Sequence, residues 1–252
     1  MMNSIMKNKL KKLLYIILPI IFWIAVWQIA AIIVNRSFFL PTVAETFKAL
    51  IKTAGTSVFY KVVSLTFLRV LSGIFLGTVA GILLAIASHH SRIVYSLLSP
   101  IISVAKATPV ATFIIILYVN MKDDVLTIFI GFLMVMPIIW QNLIDAYSSI
   151  DKELLEVCEL YGFSFKKRMR VLILPAFMKY LLPALVTATG LAWKSEVAAE
   201  IIAYTTNSIG QHMNMTQYAN DTPTMFAWTL VIIAISISLE KGMKALLSRC
   251  KI

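Results

Sequence analysis

The segment that decides the architecture reads Asp151-Lys-Glu-Leu-Leu-Glu-Val-Cys-Glu-Leu-Tyr-Gly162, continues through Phe163–Arg170, and ends Val-Leu-Ile-Leu-Pro175. Four of its residues recur at the spacing of one helix face: Leu154, Val157, Cys158 and Tyr161. Asp151 is a suitable N-cap, and Gly162 suits the left-handed position just past a helix C-terminus. The pattern predicts a short helix of about two to three turns, with an apolar stripe that needs a partner surface.

The rest of the chain is too apolar for one soluble core. It has 252 residues, of which 60% are hydrophobic and 14% charged, whereas soluble domains average about 45–50% and about 25%. This composition predicts an all-α integral membrane protein and excludes a disordered or collagen-like chain. Cys158 and Cys250 have no C-x-x-C spacing and no neighbouring histidine, so neither a metal site nor a disulfide framework is expected.

Six windows are long and apolar enough to cross a bilayer, which requires about 20 residues of helix. They are Leu13–Val34, Val70–Ser88, Ile93–Met121, Val125–Ile144, about Phe177–Ala203, and Thr222–Leu239. The third is expected to bend at Pro100 and Pro109, because proline disrupts an unsupported helix. Pro137 lies inside the fourth and is another candidate site for an irregular helix near a transport path.

The distribution of basic residues predicts the orientation of these spans. Of 23 Lys and Arg, fifteen fall on one side, five on the other, and three at membrane depth: Arg69, Lys106 and Lys194. The fifteen are Lys7, Lys9, Lys11, Lys12, Arg92, Lys152, Lys166, Lys167, Arg168, Arg170, Lys179, Lys241, Lys244, Arg249 and Lys251. The positive-inside rule places that side, and both termini, in the cytoplasm. The net charge of +11 is thus an orientation signal, and the scattered charges do not favour a nucleic-acid partner.

This topology divides the chain into a cytoplasmic basic N-terminus (1–12), a transmembrane domain (13–245) and a cytoplasmic C-terminus (246–252). Residues 151–175 then form a cytoplasmic loop. Its helix can dock on a cytosolic protein or lie on the lipid surface. Interfacial helices favour Lys and Arg, whereas this one carries Glu153, Glu156 and Glu159, so docking on a partner is preferred.

A family resemblance follows from these residues. Glu156-Val157-Cys158, Gly162 and Leu172-Ile173-Leu174-Pro175 resemble the EAA loop of ABC-importer permeases, in which E-A-A, Gly and I-x-L-P occur at the same spacing. Val157 and Cys158 replace the two alanines, and Leu172 replaces the isoleucine. Further segments resemble permeases of nitrate, sulfonate and taurine importers: Leu40–Glu45, Gly190–Trp193, Val197–Glu200, Ser208–Gly210 and Asp221–Pro223.

The resemblance implies a type I ABC-importer permease fold in the plasma or inner membrane, with six transmembrane helices and a cytoplasmic coupling helix. It also implies a second permease chain, two cytosolic ATPase subunits and an extracytoplasmic substrate-binding protein as partners, in contact with membrane lipid. The residues that it assigns to ATPase coupling are Leu154, Glu156, Val157, Cys158, Tyr161, Gly162, Leu174 and Pro175. No G-x-x-x-x-G-K-[ST] occurs in the chain, so ATP and Mg²⁺ are expected in the partner ATPase, and no enzymatic activity is expected here.

Alternatives to this function are a secondary carrier or channel, for which a coupling helix would have no purpose, and a membrane enzyme. The enzyme is disfavoured because His89, His90 and His212 fall on opposite sides of the membrane.

Polar residues within the spans are candidates for the translocation path, because charges at membrane depth are costly. They are Lys106, Thr108, Pro109, Lys194, Glu196 and Glu200. Lys106 and Lys194 would offer positive charge to an anionic solute. A structural ion pair or snorkelling to the interface is an equally good interpretation of the charged residues.

Two further patterns predict packing surfaces. Gly73, Gly77 and Gly81 form a strip on which another helix backbone can pack, which is preferred over a role in gating. An apolar stripe at Phe47, Leu50, Ile51 and Ala54 predicts an amphipathic helix on the outer surface. Together with Tyr204–Asp221 it is a candidate docking platform for the binding protein.

Overall fold

The computed structural model describes residues 2–249 and, within that range, the side chains of residues 15, 17–151 and 153–247. The predicted terminal segments 1–12 and 246–252 therefore fall largely outside the described side chains, as do Cys250 and Lys251. The described residues form α-helices and no strand. The helices are α1 (Met2–Val34), α2 (Val43–Ala54), α3 (Ser57–His90), α4 (Arg92–Ala107), α5 (Val110–Tyr118), α6 (Asp123–Ser148), α7 (Lys152–Leu160), α8 (Phe165–Arg168), α9 (Leu174–Ile202), α10 (Ile209–Tyr218) and α11 (Thr222–Arg249).

The predicted all-α membrane fold is confirmed. Within the described residues, five helical stretches are long and apolar enough to cross a membrane, and α4 with α5 makes a sixth if that bent pair counts as one span. The predicted amphipathic helix after Pro41 is also present, as α2. Its first turn is closed by a capping box, in which Thr42 accepts from the Glu45 amide and the Glu45 side chain accepts from the Thr42 amide 2.8 Å away.

The predicted limits of the second span are wrong. Instead of Val70–Ser88, α3 begins at Ser57 and ends at His90. The charged side chains Lys61 and Arg69 made the hydropathy pattern begin the span too late. A helix tolerates such residues at membrane depth when they have partners or reach the interface, and Arg69 has partners.

The third predicted span, Ile93–Met121, is not one continuous helix. The chain leaves the helix at Thr108–Pro109, and α4 and α5 meet at 99°. Thr108 has ψ 129°, the extended conformation favoured before proline, and Pro109 has no N–H to continue the helix. Pro100 lies inside α4 and Pro137 inside α6, so neither of these prolines ends its helix.

The helices group into two compact units. The first comprises residues 1–60 and 212–231. Its hydrogen bonds include that from Trp27 Nε1 to the Pro41 carbonyl at 3.1 Å and that from Thr222 Oγ1 to the Phe38 carbonyl at 2.7 Å. Trp228 stacks on Phe59, with ring centroids 5.4 Å apart.

The second unit comprises residues 61–211 and 232–252. Part of its core lies where α5, α6 and α9 meet, and the fully buried members there are Ile114, Leu126, Ile130, Ala199 and Ala203. It contains both the 151–175 segment and the polar residues predicted for the path.

Candidate functional site

The short helix α7 has well-defined ends, as its sequence predicts. At its start the Asp151 carboxylate accepts a hydrogen bond from the Glu153 amide at 2.9 Å. At its end Gly162 adopts φ +63°, the left-handed conformation. The Gly162 amide donates to the Glu159 carbonyl and the Phe163 amide to the Cys158 carbonyl, both at 2.9 Å. These two bonds form a Schellman motif, which stops the helix sharply.

The apolar stripe of α7 is divided between a buried and an exposed part. Cys158 is buried, whereas Leu154 and Val157 are about half exposed and Tyr161 is 73% exposed. Leu160, which the sequence pattern does not include in the stripe, is 87% exposed. Cys158 therefore packs on its own chain, and an uncovered apolar surface remains beside the exposed carboxylates of Glu153 and Glu156.

Side-chain contacts tie the end of α7 to the segment that follows. Arg168 Nη1 donates to Glu159 Oε1 at 3.1 Å, and Lys167 Nζ lies 3.8 Å from the centroid of the Phe163 ring. The ion pair crosses the turn at Gly162, whereas the Lys167–Phe163 contact lies within the segment after the turn. The ion pair therefore links the end of α7 to α8.

A π-helical turn, Met169–Ile173, connects α8 to α9 without a break. The Leu174 amide donates to the Met169 carbonyl, five residues back, and Pro175 occupies the first turn of α9. The wider π turn removes the conflict between the proline ring and the preceding backbone that a regular α-helix would impose. The Leu174-Pro175 pair therefore lies where α9 begins, and the helical path from Phe165 to Ile202 is continuous.

A pocket of about 380 Å³ lies at the break between α4 and α5. Lys106 and Thr108 line it from the break, Pro137 from α6, and Ser195 from α9. Lys106 is exposed, and no acidic side chain in the described part of the chain forms an ion pair with it. The Thr108 hydroxyl donates to the Val104 carbonyl at 2.8 Å. The pocket wall is mostly apolar with one free cation, an arrangement suited to a small anionic or polar molecule.

The other predicted path residues are placed differently. Pro109 and Lys194 are exposed and do not line this pocket. Glu196 and Glu200 are 1% exposed and face other helices. The structure thus brings Lys106 and Thr108 to one pocket but does not bring Lys194, Glu196 or Glu200 to it.

Glu200 belongs to a buried polar network joining α3, α6 and α9. Arg69 Nη1 donates to Glu200 Oε1 at 3.1 Å, and Arg69 Nη2 lies 2.7 Å from Asp124 Oδ1. The Thr66 hydroxyl donates to Glu200 at 2.8 Å. This arrangement is the structural ion pair that the sequence left open as the alternative role for a charge at this depth, and it does not test a role in transport.

The same network holds the loop after α9. Arg69 donates to the carbonyls of Thr206 and Asn207 at 3.2 and 3.4 Å, and the Gly210 amide donates to Glu200 at 3.3 Å. The Arg69 guanidinium thus donates four hydrogen bonds, to Asp124, Glu200 and the two carbonyls, and its Nη2 also forms the 2.7 Å ion-pair contact with Asp124. A single side chain on α3 therefore fixes both the end of α9 and the start of α10.

The glycine strip of α3 packs on α6. A Cβ placed on Gly77 would lie 2.7 Å from Val135 Cβ, and one placed on Gly81 would lie 2.8 Å from Ile139 Cβ. At Gly73, the same atom would overlap Glu196 Oε1 and lie 3.1 Å from Gly131 Cα. The two helices approach so closely that no side chain larger than hydrogen fits at these positions without movement.

Sequence inspection missed several residues of these sites. Arg69 was assigned only to membrane depth, and Thr66, Asp124 and Gly131 were not singled out. Nothing local identifies them, because Arg69 and Glu200 are 131 positions apart. The sequence did contain a signal for Leu160, since it lies three residues after Val157, at the spacing of one helical turn. In the described part of the chain, no group of three His, Cys, Asp or Glu is arranged to hold a metal ion.

Comparison with known proteins gives one family match. The model of the family described as binding-protein-dependent transport system inner membrane component matches residues 73–251. A search of curated proteins finds no match. Among solved structures, an amino acid ABC transporter with histidines is similar at TM-score 0.62 and 17% identity, over 77% of this chain and 92% of that one. The MetNI methionine ABC transporter, in an inward-facing conformation, is similar at TM-score 0.58 and 15% identity, over 75% and 93%. At these identities the likeness concerns the fold.

Proposed function

The chain belongs to the family of binding-protein-dependent transport system inner membrane components, and we propose that it forms, with a second permease chain, the path for a small anionic or polar solute. The second chain is a copy or a close relative. Two cytosolic ATPase subunits bind ATP and Mg²⁺ and drive the transport. A binding protein outside the membrane delivers the solute.

The observation that carries this proposal is the form of the 151–175 segment. The side chains of Leu160 and Tyr161 are largely exposed, and that of Val157 is about half exposed. The carboxylates of Glu153 and Glu156 are exposed beside them. The described residues of this chain leave this surface uncovered, and an exposed apolar surface of this kind marks a site of protein contact. We infer that an ATPase subunit covers it, and that the continuous path through α8 and the π turn transmits the movement of α7 to α9.

The proposed path passes the pocket at the α4–α5 break. The unpaired ammonium of Lys106 attracts an anion, and the broken helix provides irregular backbone beside the solute, as in other transporters. This assignment favours Lys106 over Lys194 as the positive group that the solute meets, because Lys194 does not line the pocket.

Orientation and solute class are further parts of the proposal. The Lys and Arg distribution supports cytoplasmic termini, which places α7 in the cytosol and places α2 and the segment Tyr204–Asp221 outside. We propose the latter two as the docking platform for the binding protein. The segments Leu40–Glu45 and Ser208–Gly210 support a solute of the nitrate, sulfonate or taurine type, and the solved structures of similar fold belong to transporters of amino acids and methionine.

Co-purification of the ATPase subunit tests the proposal. We expect Leu160→Asp to remove the ATPase from the purified complex, because a charge replaces the most exposed apolar side chain of α7. Met215→Asp, on the exposed side of α10, is the matched control and keeps the ATPase bound. Full retention of the ATPase by Leu160→Asp, or solute uptake by this chain alone in vesicles without ATP, would overturn the assignment.

A further inference from the structure

Glu196 is a buried carboxyl group that the proposed function does not use. It lies in the last two turns of α9, six residues before Ile202, with 1% of its surface exposed. Neither Oε1 nor Oε2 has a hydrogen-bond partner among the described residues. A carboxylate in this position would lack both water and donors, and burying an unpaired charge is among the costliest arrangements in a protein.

Two glycines make room for this carboxyl group. A Cβ on Gly131 of α6 or on Gly73 of α3 would overlap Glu196 Oε1. The side chain therefore fills a notch at the crossing of α3, α6 and α9 and does not point to a surface. A notch of this shape holds the carboxyl group in place without supplying any N–H or O–H donor to it.

The cation near Glu196 is Arg69 on α3, and it already binds other groups. The four hydrogen bonds of Arg69 go to Glu200, to Asp124 on α6 and to the carbonyls of Thr206 and Asn207, and it forms no ion pair with Glu196. Glu200, one turn further along α9, is a negative neighbour that disfavours a second carboxylate on the same helix face. The charged groups around Glu196 thus leave it without a counter-ion.

We propose that Glu196 is a proton-binding site at this crossing of three helices. One proton from water binds a carboxylate oxygen, and the side chain changes from an anion to a neutral carboxylic acid. The neutral form is compatible with the glycine notch, so proton binding stabilises the described packing of α9 on α3 and α6. Loss of the proton favours an arrangement in which α9 moves and the carboxylate reaches water or a donor.

Infrared spectroscopy of the full chain, purified with its partner subunits and reconstituted in phospholipid vesicles, tests the proposal. We expect a C=O stretching band of a protonated carboxylic acid at neutral pH that weakens when the pH is made strongly alkaline. This band is lost in Glu196→Gln. It remains in Glu45→Gln, a matched control in which Gln can still serve the α2 capping box.

A second measurement needs only the wild-type chain. Dicyclohexylcarbodiimide is an apolar reagent that modifies protonated carboxyl groups, and peptide mass spectrometry locates the adduct. We expect labelling at Glu196 at neutral pH that falls severalfold when the pH is made strongly alkaline. A carboxylate signal for Glu196 at neutral pH, or an unchanged protonated band in Glu196→Gln, overturns the proposal. Neither readout depends on solute uptake, so these measurements test the role of Glu196 independently of the proposed transport function, on which this inference does not rest.

Discussion

The Arg69 guanidinium on α3 donates to the Glu200 carboxylate on α9 across 3.1 Å, with the side chains 10% and 1% exposed. The same guanidinium also holds Asp124 and two carbonyls of the loop that precedes α10. Three helices and one loop therefore depend on one cation. Because Arg69 and Glu200 are buried together, whereas the Asp124 side chain is 66% exposed, the arrangement is most sensitive to the loss of Arg69.

Removing one partner of this pair should destabilise the protein strongly. We expect Arg69→Gln to lower the free energy of unfolding by about 3–5 kcal/mol, because Glu200 stays buried without its counter-ion. We expect Glu200→Gln to lower it less, because Arg69 keeps Asp124 as a partner at 2.7 Å. The double variant should lose less than the sum of the two single variants. Thermal unfolding in detergent measures all three.

Glu159→Gln is the control for this series, since it breaks the Arg168–Glu159 pair, in which the Glu159 side chain is 71% exposed. Exposed pairs contribute about 0–1 kcal/mol. An equal loss of unfolding free energy on breaking the buried pair and on breaking the exposed pair would contradict the role of burial.

The turn after α7 should be intolerant of a side chain for reasons of backbone conformation alone. Gly162 has φ +63° and no atom within 4 Å of an added Cβ. We expect Gly162→Ala to cost about 1–2 kcal/mol in local stability and to reduce solute-stimulated ATP hydrolysis by the assembled complex several-fold, since the Schellman motif fixes the end of α7.

Gly242→Ala is the matched control, because Gly242 also has open space around it but lies within α11. There alanine favours the helix by about 0.5–1 kcal/mol. Loss of activity in both variants would mean that the left-handed conformation is not the cause.

The fold was predictable where the information is local. Asp151 and Gly162 mark the ends of α7 because N-caps and left-handed glycines act within a few residues. Pro109 marked a bend for the same reason, although the 99° angle depends on how α5 packs against α6 and α9. The partners of Arg69 and the notch around Glu196 come from helices far apart in sequence, and no periodicity within α3 or α9 specifies them.

Acidification should destabilise the first unit through His212. Burial beside Trp228, whose ring centroid lies 5.3 Å away, lowers the pKa of His212 from the usual 6.5. The folded chain then binds fewer protons than the unfolded chain. The contribution of neutral His212 to stability is therefore fully present above about pH 6.5, and it is lost as the pH falls through the lowered pKa. We expect the melting temperature to decrease over this window in the wild type and to change less in His212→Gln. An equal decrease in both proteins would assign the effect to other groups.

Lys106 should matter for transport more than Lys194. Lys106 lines the pocket at the α4–α5 break without an ionic partner in the described structure, whereas Lys194 lies outside the pocket lining. Substituting methionine keeps the length and apolar character of either side chain and removes its charge. We expect Lys106→Met to reduce uptake of an anionic solute at least several-fold, at normal assembly with the ATPase, and Lys194→Met to reduce it little. If Lys194→Met has the larger effect, the solute passes the exposed side of α9, where a second permease chain would complete the path.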